Sequence, residues 1–451
     1  VGKFFGTDGI RGKANIAPMS PDFVLRLGQA IGTHFRNTYP HPKILIGKDT
    51  RRSGYMLEQA LSSGICSVGV DVLFLGPLPT PGIAYLTRGM RACAGIVISA
   101  SHNPYDDNGI KIFSDNGYKL PDEIENQLED MLELVPTSES FPLGMGIGRA
   151  KRVDDAVGQY AVFLKEQFPK HLKLDGLRIV LDCAHGAAYK VAPKVFEELG
   201  AELFVVGNQP DGRNINEQCG ALYPQSLIDK VRLYKADLGL ALDGDADRLI
   251  VVDHTGELVD GDQILAICAG FLQQKGKLQK STVVSTVMSN MGLEIALQRM
   301  GVKLVRSKVG DRYVVDEMRK GGYNLGGEQS GHLIFADCST TGDGILAALH
   351  LLEVMLTEEK SLAELKNCME VLPQVLKNVR VLHKTPFEAM PDVYKSIQTA
   401  EKNLGQRGRV LVRYSGTENL ARVMLEGEDQ GTLEQMASEI VRSLEKAQLK
   451  G

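Results

Sequence analysis

Four short polar runs carry the side chains with which this chain can do chemistry. In Ile98-Ser99-Ala100-Ser101-His102-Asn103-Pro104 the apolar stretch Ala94 to Ile98 gives way to Ser, Asn and Pro, which puts Ser101 on a turn at a strand end. A hydroxyl there, with His102 beside it and Lys111 on the next strand-like piece, Gly109 to Phe113, is able to take up a phosphoryl group and pass it on. In Asp243-Gly244-Asp245-Ala246-Asp247-Arg248 three carboxylates at alternate positions can turn toward one point, and hard oxygen donors suit Mg²⁺ or Ca²⁺. An EF-hand is excluded, because its sixth position would be Arg248 and its twelfth His254. Three protein carboxylates also leave part of an octahedral shell open, and a phosphate oxygen is its natural occupant.

The run Gly326-Gly327-Glu328-Gln329-Ser330-Gly331-His332 joins a carboxylate, an amide, a hydroxyl and an imidazole between glycines, a set that can hydrogen-bond a polyol ring. Arg413-Tyr414-Ser415-Gly416-Thr417-Glu418-Asn419, after the strand-like Val410 to Val412, offers a guanidinium, hydroxyls and backbone N–H groups, the makings of an anion nest. Nearer the start, Phe5-Gly6-Thr7-Asp8-Gly9-Ile10-Arg11-Gly12 flanks a charged pair with glycines that allow close approach to a ligand; Arg11 either binds phosphate bidentately or pairs with Asp8. Each run alone also fits an ordinary polar turn, and His332 alone fits a structural histidine. There is no G-x-x-x-x-G-K-[ST] run, no dinucleotide fingerprint and no G-x-S-x-G around Ser101 or Ser330.

The elements that must position these residues follow a repeated plan of apolar strand, amphipathic helix ending near a glycine, and second apolar strand. It runs from Lys43-Ile44-Leu45-Ile46 to Val70-Asp71-Val72-Leu73-Phe74, from Leu177-Arg178-Ile179-Val180-Leu181 to Leu203-Phe204-Val205-Val206, and from Thr282-Val283-Val284-Ser285 to Lys303-Leu304-Val305. Each has the length of a β-α-β unit, so three related α/β domains with mixed, mainly parallel sheets are expected. The polar stretch Pro136 to Ser140 with Gly144, Gly146 and Gly148 separates the first from the second, and Asp253 to Glu257 reads as a hairpin turn near the next boundary. From about Val371 the pattern becomes a smaller α+β domain, with helices around Ala389 to Asn403 and Leu433 to Ala447. The expected division is 1–150, 151–255, 256–370 and 371–451.

At 451 residues several domains are expected. Ordinary globular composition, 43% hydrophobic and 24% charged, argues against long disorder, and a net charge of −5 gives no footprint for nucleic acid or an anionic membrane. Seven scattered cysteines without a C-x-x-C pair suit a reducing cytoplasm. No stretch is long enough to span a bilayer, the start has no signal-peptide core, and Ile345 to Leu356 reads as a core helix.

Together, and in this order, the four runs resemble those of the α-D-phosphohexomutase family over essentially the whole chain. The resemblance implies four domains, each giving one loop to a central cleft. It implies Ser101 as a phosphoserine, and Asp243, Asp245 and Asp247 holding one Mg²⁺ with the Ser101 phosphate; by residue type and charge, Lys111, His102 and Arg248 are the catalytic candidates beside it. Glu328 and Ser330 would meet sugar hydroxyls beside His332, while Arg413, Ser415, Gly416, Thr417 and Arg422 would hold the distal phosphate, with Arg11 also on the substrate. Lys111 is favoured over His102 and His332 as general acid/base. Phe5 to Gly12, Lys308-Val309-Gly310-Asp311-Arg312-Tyr313 where relatives have Gly-His, and Gln329 where they have Met, place the chain among members acting on amino sugars. Asn419 stands where the family has Pro. A hexosamine phosphate substrate, glucosamine-1,6-bisphosphate as activator, a homodimer and a product destined for UDP-N-acetylglucosamine and cell-wall precursors are then implied. The competing readings are a phosphoglucomutase/phosphomannomutase, a Mg²⁺-dependent sugar phosphatase and a non-catalytic sugar-phosphate sensor.

Overall fold

A computed structural model of the chain describes residues 2–6, 8–133, 141–405, 408–415 and 419–450, with residues 449 and 450 described by backbone alone. Thr7, the stretch Pro136 to Ser140, and Gly416, Thr417 and Glu418 therefore lie outside the described residues. The chain divides into two compact units, one of residues 1–288 and 302–367, the other of residues 289–301 and 368–451.

The first unit contains three sheets. Strands β1 (Ile10–Lys13), β2 (Lys43–Lys48), β3 (Asp71–Pro77), β4 (Ala94–Ile98), β5 (Asp107–Ser114) and β6 (Ala150–Arg152) lie in the order β1-β5-β4-β2-β3-β6. Strands β7 (Arg178–Asp182), β8 (Glu202–Val206), β9 (Leu238–Leu242), β10 (Leu249–Asp253) and β11 (Leu258–Val259) lie in the order β11-β10-β9-β7-β8. Strands β12 (Thr282–Thr286), β13 (Lys303–Ser307), β14 (Leu325–Gly327) and β15 (Leu333–Phe335) lie in the order β13-β12-β14-β15.

One four-stranded plan recurs in all three. The first strand pairs in parallel with the second and the third, and the fourth returns antiparallel beside the third: β2, β3, β4, β5; β7, β8, β9, β10; β12, β13, β14, β15. The strand-helix-strand segments read from the sequence are the first two strands of each copy. Their helices, Arg52–Ser67, Val191–Glu198 and Met291–Arg299, are each followed by a glycine in the left-handed region, Gly69 (φ 88°), Gly200 (φ 102°) and Gly301 (φ 71°), where a residue with a Cβ is strained. Central strands such as β2, with Ile44, Leu45 and Ile46 all inaccessible to solvent, are continuous apolar runs because both faces are covered. The third and fourth strands of each copy are joined by a loop, and those three loops carry Ser101, the three aspartates, and Glu328 to His332.

The sequence pattern did not mark β1, which pairs antiparallel with β5, or β6, which extends the first sheet parallel to β3 after the glycine-punctuated stretch. Gly9 (φ 80°) is required by β5: a Cβ there would lie 2.3 Å from the Ile110 carbonyl oxygen, so its close approach is to backbone. Asp253 to Glu257 is the turn between β10 and β11, with Gly256 at φ 87°. The apolar helix Gly344–Glu358 is a core helix, and among the described residues no helix is long and apolar enough to cross a membrane.

The second unit is built on an antiparallel sheet of β16 (Gln374–Arg380), β17 (Gly408–Tyr414) and β18 (Leu420–Gly427), in the order β16-β18-β17. Helices Pro391–Leu404 and Gln430–Lys450 bury Val393 and Ala400, and Leu433, Ile440 and Leu444, with Val423 and Leu425 of the sheet.

Candidate active site

Ser101 sits in the β4–β5 loop with φ 51°, a left-handed conformation that costs a non-glycine residue about 1–2 kcal/mol and persists only where the surroundings hold it. They do. Its N–H donates to Ser99 Oγ at 2.9 Å, and its carbonyl accepts from Asn216 Nδ2 at 2.9 Å and Arg51 Nη2 at 3.1 Å. Arg51 is fully buried, paired with Asp49, and also donates to the Asn103 carbonyl at 2.5 Å. Asp49 in turn accepts the Ser99 hydroxyl. With the backbone committed to these partners, the Ser101 hydroxyl is left to donate to Asp243 Oδ2 at 2.7 Å, 3.3 Å from His102 Nδ1. Burial, then Arg248 and Arg11, push His102 down to about 4, so the ring is neutral.

Asp243, Asp245 and Asp247 in the β9–β10 loop are buried, with ligand oxygens all within 4.8 Å of one another. Ala246 takes φ 57°, and the Gly344 amide binds its carbonyl at 3.0 Å. Asp245 Oδ2 accepts from Thr80 Oγ1 at 2.7 Å and Lys111 Nζ at 3.0 Å, but Asp245 Oδ1 and Asp247 Oδ1 are buried without a hydrogen-bond donor. Buried acceptors without donors are costly. Hard oxygens converging with unused lone pairs fit a divalent cation of the Mg²⁺ kind. Burial, followed by the charges of Asp247 and Asp245, holds Asp243 well above the usual carboxylate range. Burial acts the same way on Asp247, but His332 and Lys111 outweigh it and hold that carboxyl below the range, so Asp247 carries negative charge.

Lys111, on β5, is buried among Asp245, Asp8 (3.1 Å) and Asp247 (3.7 Å). Burial opposes its charge, yet the three carboxylates more than offset it and hold the ammonium firmly protonated. Held this way it is a donor; it would accept a proton only after those carboxylates turn to another cation. Arg11 pairs with Asp8, as one of the two sequence readings had it, and its Nε is buried without an acceptor. Arg248 donates its amide to Asp243 Oδ1 at 3.2 Å, and its side-chain Nε, also without an acceptor, lies 3.8 Å from Asp247.

The β14–β15 loop is a hairpin tip in which Glu328 Oε1 accepts the Gly310 amide at 3.1 Å and Oε2 faces the Ser330 hydroxyl at 3.3 Å. Gln329 turns away to Asp260, at 3.2 Å. His332 is buried with Nδ1 3.6 Å from Asp247 and Nε2 3.7 Å from Asp311. Burial and the Gly342 N–H aimed at Nε2 (3.2 Å) favour the neutral ring, but Asp247, Asp311 and Glu328 together are stronger and raise it to about 9. Ser101, His102, Lys111, Arg248, Arg11, the three aspartates and His332 are thus brought together, with Glu328 and Ser330 on the neighbouring loop. Sequence reasoning missed Asp49, Arg51, Ser99, Thr80 and Asn216. Ser99 stands inside the serine run itself, Asp49 and Arg51 follow strand β2 and Asn216 lies in a Gly- and Asn-rich loop, but nothing local named the partners they take.

In the second unit, Arg413 and Arg422 stand directly opposite in the β17–β18 ladder. Like charges so placed repel; burial and Arg422 lower the Arg413 pKa. Arg413 Nε is buried without an acceptor, and the Ser415 carbonyl takes the Lys384 ammonium at 2.8 Å. An anion would relieve this cationic cluster.

Four family models match the chain: phosphoglucomutase/phosphomannomutase alpha/beta/alpha domain I over residues 2–136, domain II over 159–256, domain III over 260–372 and the C-terminal domain over 376–443. Phosphoglucosamine mutase of Pelobacter propionicus is 57% identical over 440 residues, covering 97% of each chain, and that of Myxococcus xanthus 57% over 445 residues, covering 99% of this chain and 97% of that protein. Among solved structures, a phosphoglucomutase/phosphomannomutase family protein from Burkholderia thailandensis matches with a TM-score of 0.81 at 24% identity over 98% of this chain and 97% of that one. Aspergillus fumigatus N-acetylphosphoglucosamine mutase, in complex with GlcNAc-6P and magnesium, matches with a TM-score of 0.66 at 17% identity over 98% and 96%. These two likenesses concern the fold.

Proposed function

The chain belongs to the phosphoglucomutase/phosphomannomutase family, and from that premise we propose that it interconverts glucosamine-6-phosphate and glucosamine-1-phosphate through a phosphorylated Ser101 and glucosamine-1,6-bisphosphate. The observation that carries the reading is the Ser101 hydroxyl set on Asp243 at 2.7 Å, beside two buried carboxylate oxygens without donors. Relatives named phosphoglucosamine mutase at 57% identity supply the amino sugar.

In the forward half-reaction the P–O bond to Ser101 Oγ breaks and a new one forms to the free 1-oxygen of the sugar. The hydroxyl proton of the sugar is released and one proton is regained by Ser101 Oγ, so the step is proton-neutral. The Lys111 ammonium and Arg248 guanidinium offset the charge that moves; Lys111 supplies the proton that Ser101 Oγ regains and is restored by the one the sugar hydroxyl releases, while His102 Nδ1 stands 3.3 Å from Oγ. After the bisphosphate turns end over end, the same step runs in reverse from the 6-phosphate. Mg²⁺ would be held by Asp243, Asp245 and Asp247 with the Ser101 oxygen, supplying Lewis-acid neutralisation of the phosphoryl group. Glu328 and Ser330 are assigned to sugar hydroxyls with His332 beside them, Arg11 to substrate, and Arg413, Ser415, Gly416, Thr417 and Arg422 to phosphate. A four-domain division at residues 150, 255 and 370, a homodimer, priming by the bisphosphate and a cytoplasmic role supplying UDP-N-acetylglucosamine belong to the same proposal.

A ³¹P NMR time course with Mg²⁺ tests it, offering glucosamine-6-phosphate, glucose-6-phosphate and mannose-6-phosphate separately, each with a trace of its bisphosphate. Conversion of the aminosugar without free phosphate is expected. Equal or faster turnover of the plain hexoses would make the chain a phosphoglucomutase/phosphomannomutase, and release of inorganic phosphate would make it a phosphatase.

A further inference from the structure

Lys119, just beyond β5, belongs to none of the runs singled out in the sequence. Its side chain is 15% exposed, and its ammonium sits between Asp8 Oδ1 and Asp311 Oδ2, the latter at 2.6 Å. These two bridges close a ring in which carboxylates alternate with nitrogen-bearing side chains. Lys111 faces Asp8 (3.1 Å) and Asp247 (3.7 Å); Asp247 faces His332 (3.6 Å); His332 faces Asp311 (3.7 Å); Lys119 joins Asp311 back to Asp8. Its members come from the segment before β1, from β5 and its sequel, from the β9–β10 loop and from the two ends of the β13–β15 region.

Two members, Lys111 and His332, are each held from two directions. Asp247, with Asp245 for Lys111, holds them on the metal-loop side; Asp8 and Asp311 hold them from the other. A divalent cation held by the aspartate cluster would compete for Asp245 and Asp247 and would weaken the first hold. The second then decides where the two side chains stand, and it is only as firm as Asp8 and Asp311 themselves. One ammonium touches both. Without it, two largely buried carboxylates would face a gap with less to balance them.

We infer that Lys119 is a positioning residue: by clamping Asp8 and Asp311 it fixes Lys111 and His332 at the reaction centre. This rests on the reading that Ser101 and the three aspartates carry the chemistry.

Lys119→Met keeps the length of the side chain and removes its charge. It is expected to lower kcat about 100-fold while KM moves less than about threefold, the mark of lost placement rather than lost substrate contact. Lys119→Arg, able to span both carboxylates, is expected to restore most of that loss. Adding Asp311→Asn to Lys119→Met relieves the bare carboxylate pair, so the melting temperature recovers while kcat stays low. Amide hydrogen exchange supplies a readout free of substrate and metal: in Lys119→Met it rises together in residues 8–13 and 308–313 and is unchanged in β2 and β3. A Lys119→Met kcat within about twofold of wild type, a double variant whose kcat returns with its melting temperature, or unchanged exchange in both segments would each overturn the inference. The kinetic comparison is made on whichever hexose phosphate the wild type turns over. A wild type that turns over none sinks the proposed function alone, and exchange then decides the role of Lys119.

Discussion

The β4–β5 and β9–β10 loops occupy the same place in two copies of one sheet plan, yet they are finished in opposite ways. In the first, the acceptors around the functional residue are saturated: the carbonyls of Ser101 and Asn103 take donors from Arg51 and Asn216, and a buried Asp49 anchors the donor. In the second, buried carboxylate oxygens are left without donors and like charges are crowded together. The difference separates two jobs. A nucleophile must be aimed, so its backbone is over-determined and its hydroxyl alone is spared; a metal loop must keep lone pairs unspent.

The sharpest break of this contrast is Ser101→Ala, expected to lower turnover by at least about 10³-fold without unfolding the protein, read by the NMR assay and circular dichroism. Ser101→Gly should be equally inactive but more stable than Ser101→Ala by about 1 kcal/mol in urea denaturation, because only glycine adopts φ 51° without strain. Next in size is the metal loop: chelation should abolish activity. Asp245→Asn should raise the stability of metal-free protein while removing the stabilisation by Mg²⁺, about 2.7 kcal/mol at a hundredfold excess over Kd, that calorimetry would detect in the wild type. Arg51→Met breaks the buried pair with Asp49 and is expected to cost about 3–5 kcal/mol, with lower activity as Ser101 loses its brace. The smallest effect is one of pH. Asp343 caps helix Gly344–Glu358 behind the metal loop and accepts the Tyr160 hydroxyl at 2.6 Å. Burial chiefly, with a contribution from Asp247, raises its carboxyl to about 6. Between the ordinary aspartate value and about 6 the unfolded chain has lost this proton while the folded one keeps it, so this residue lowers stability as pH rises through that window. Asp343→Asn should flatten that slope in denaturation midpoints measured from pH 4 to 7.

Strands and the repeated unit were legible because local pattern encodes them: apolar runs, a helix of fixed length, a glycine at its end. The acidic cluster and the serine turn were legible for the same reason, since their side chains are adjacent in sequence. The bracing was not. Arg51 meets residues fifty positions away, Asn216 meets Ser101 across 115 and Lys119 meets Asp311 across 192. No local window marks such partners; they exist only once the loops are stacked. Strand β1 was hidden similarly, because its four residues carry two charges and a glycine and gain strand form only from β5.

The loops meet through bare backbone. A Cβ at Gly244 would lie 2.5 Å from the Ser101 carbonyl oxygen, and one at Gly331 only 2.1 Å from that of Leu249. For anyone recombining this protein with distant relatives, the three loops are therefore a single heritable part: a crossover that imports one of them without its glycine-matched neighbours brings a steric mismatch into the centre of the enzyme, however well each donor loop serves in its own parent.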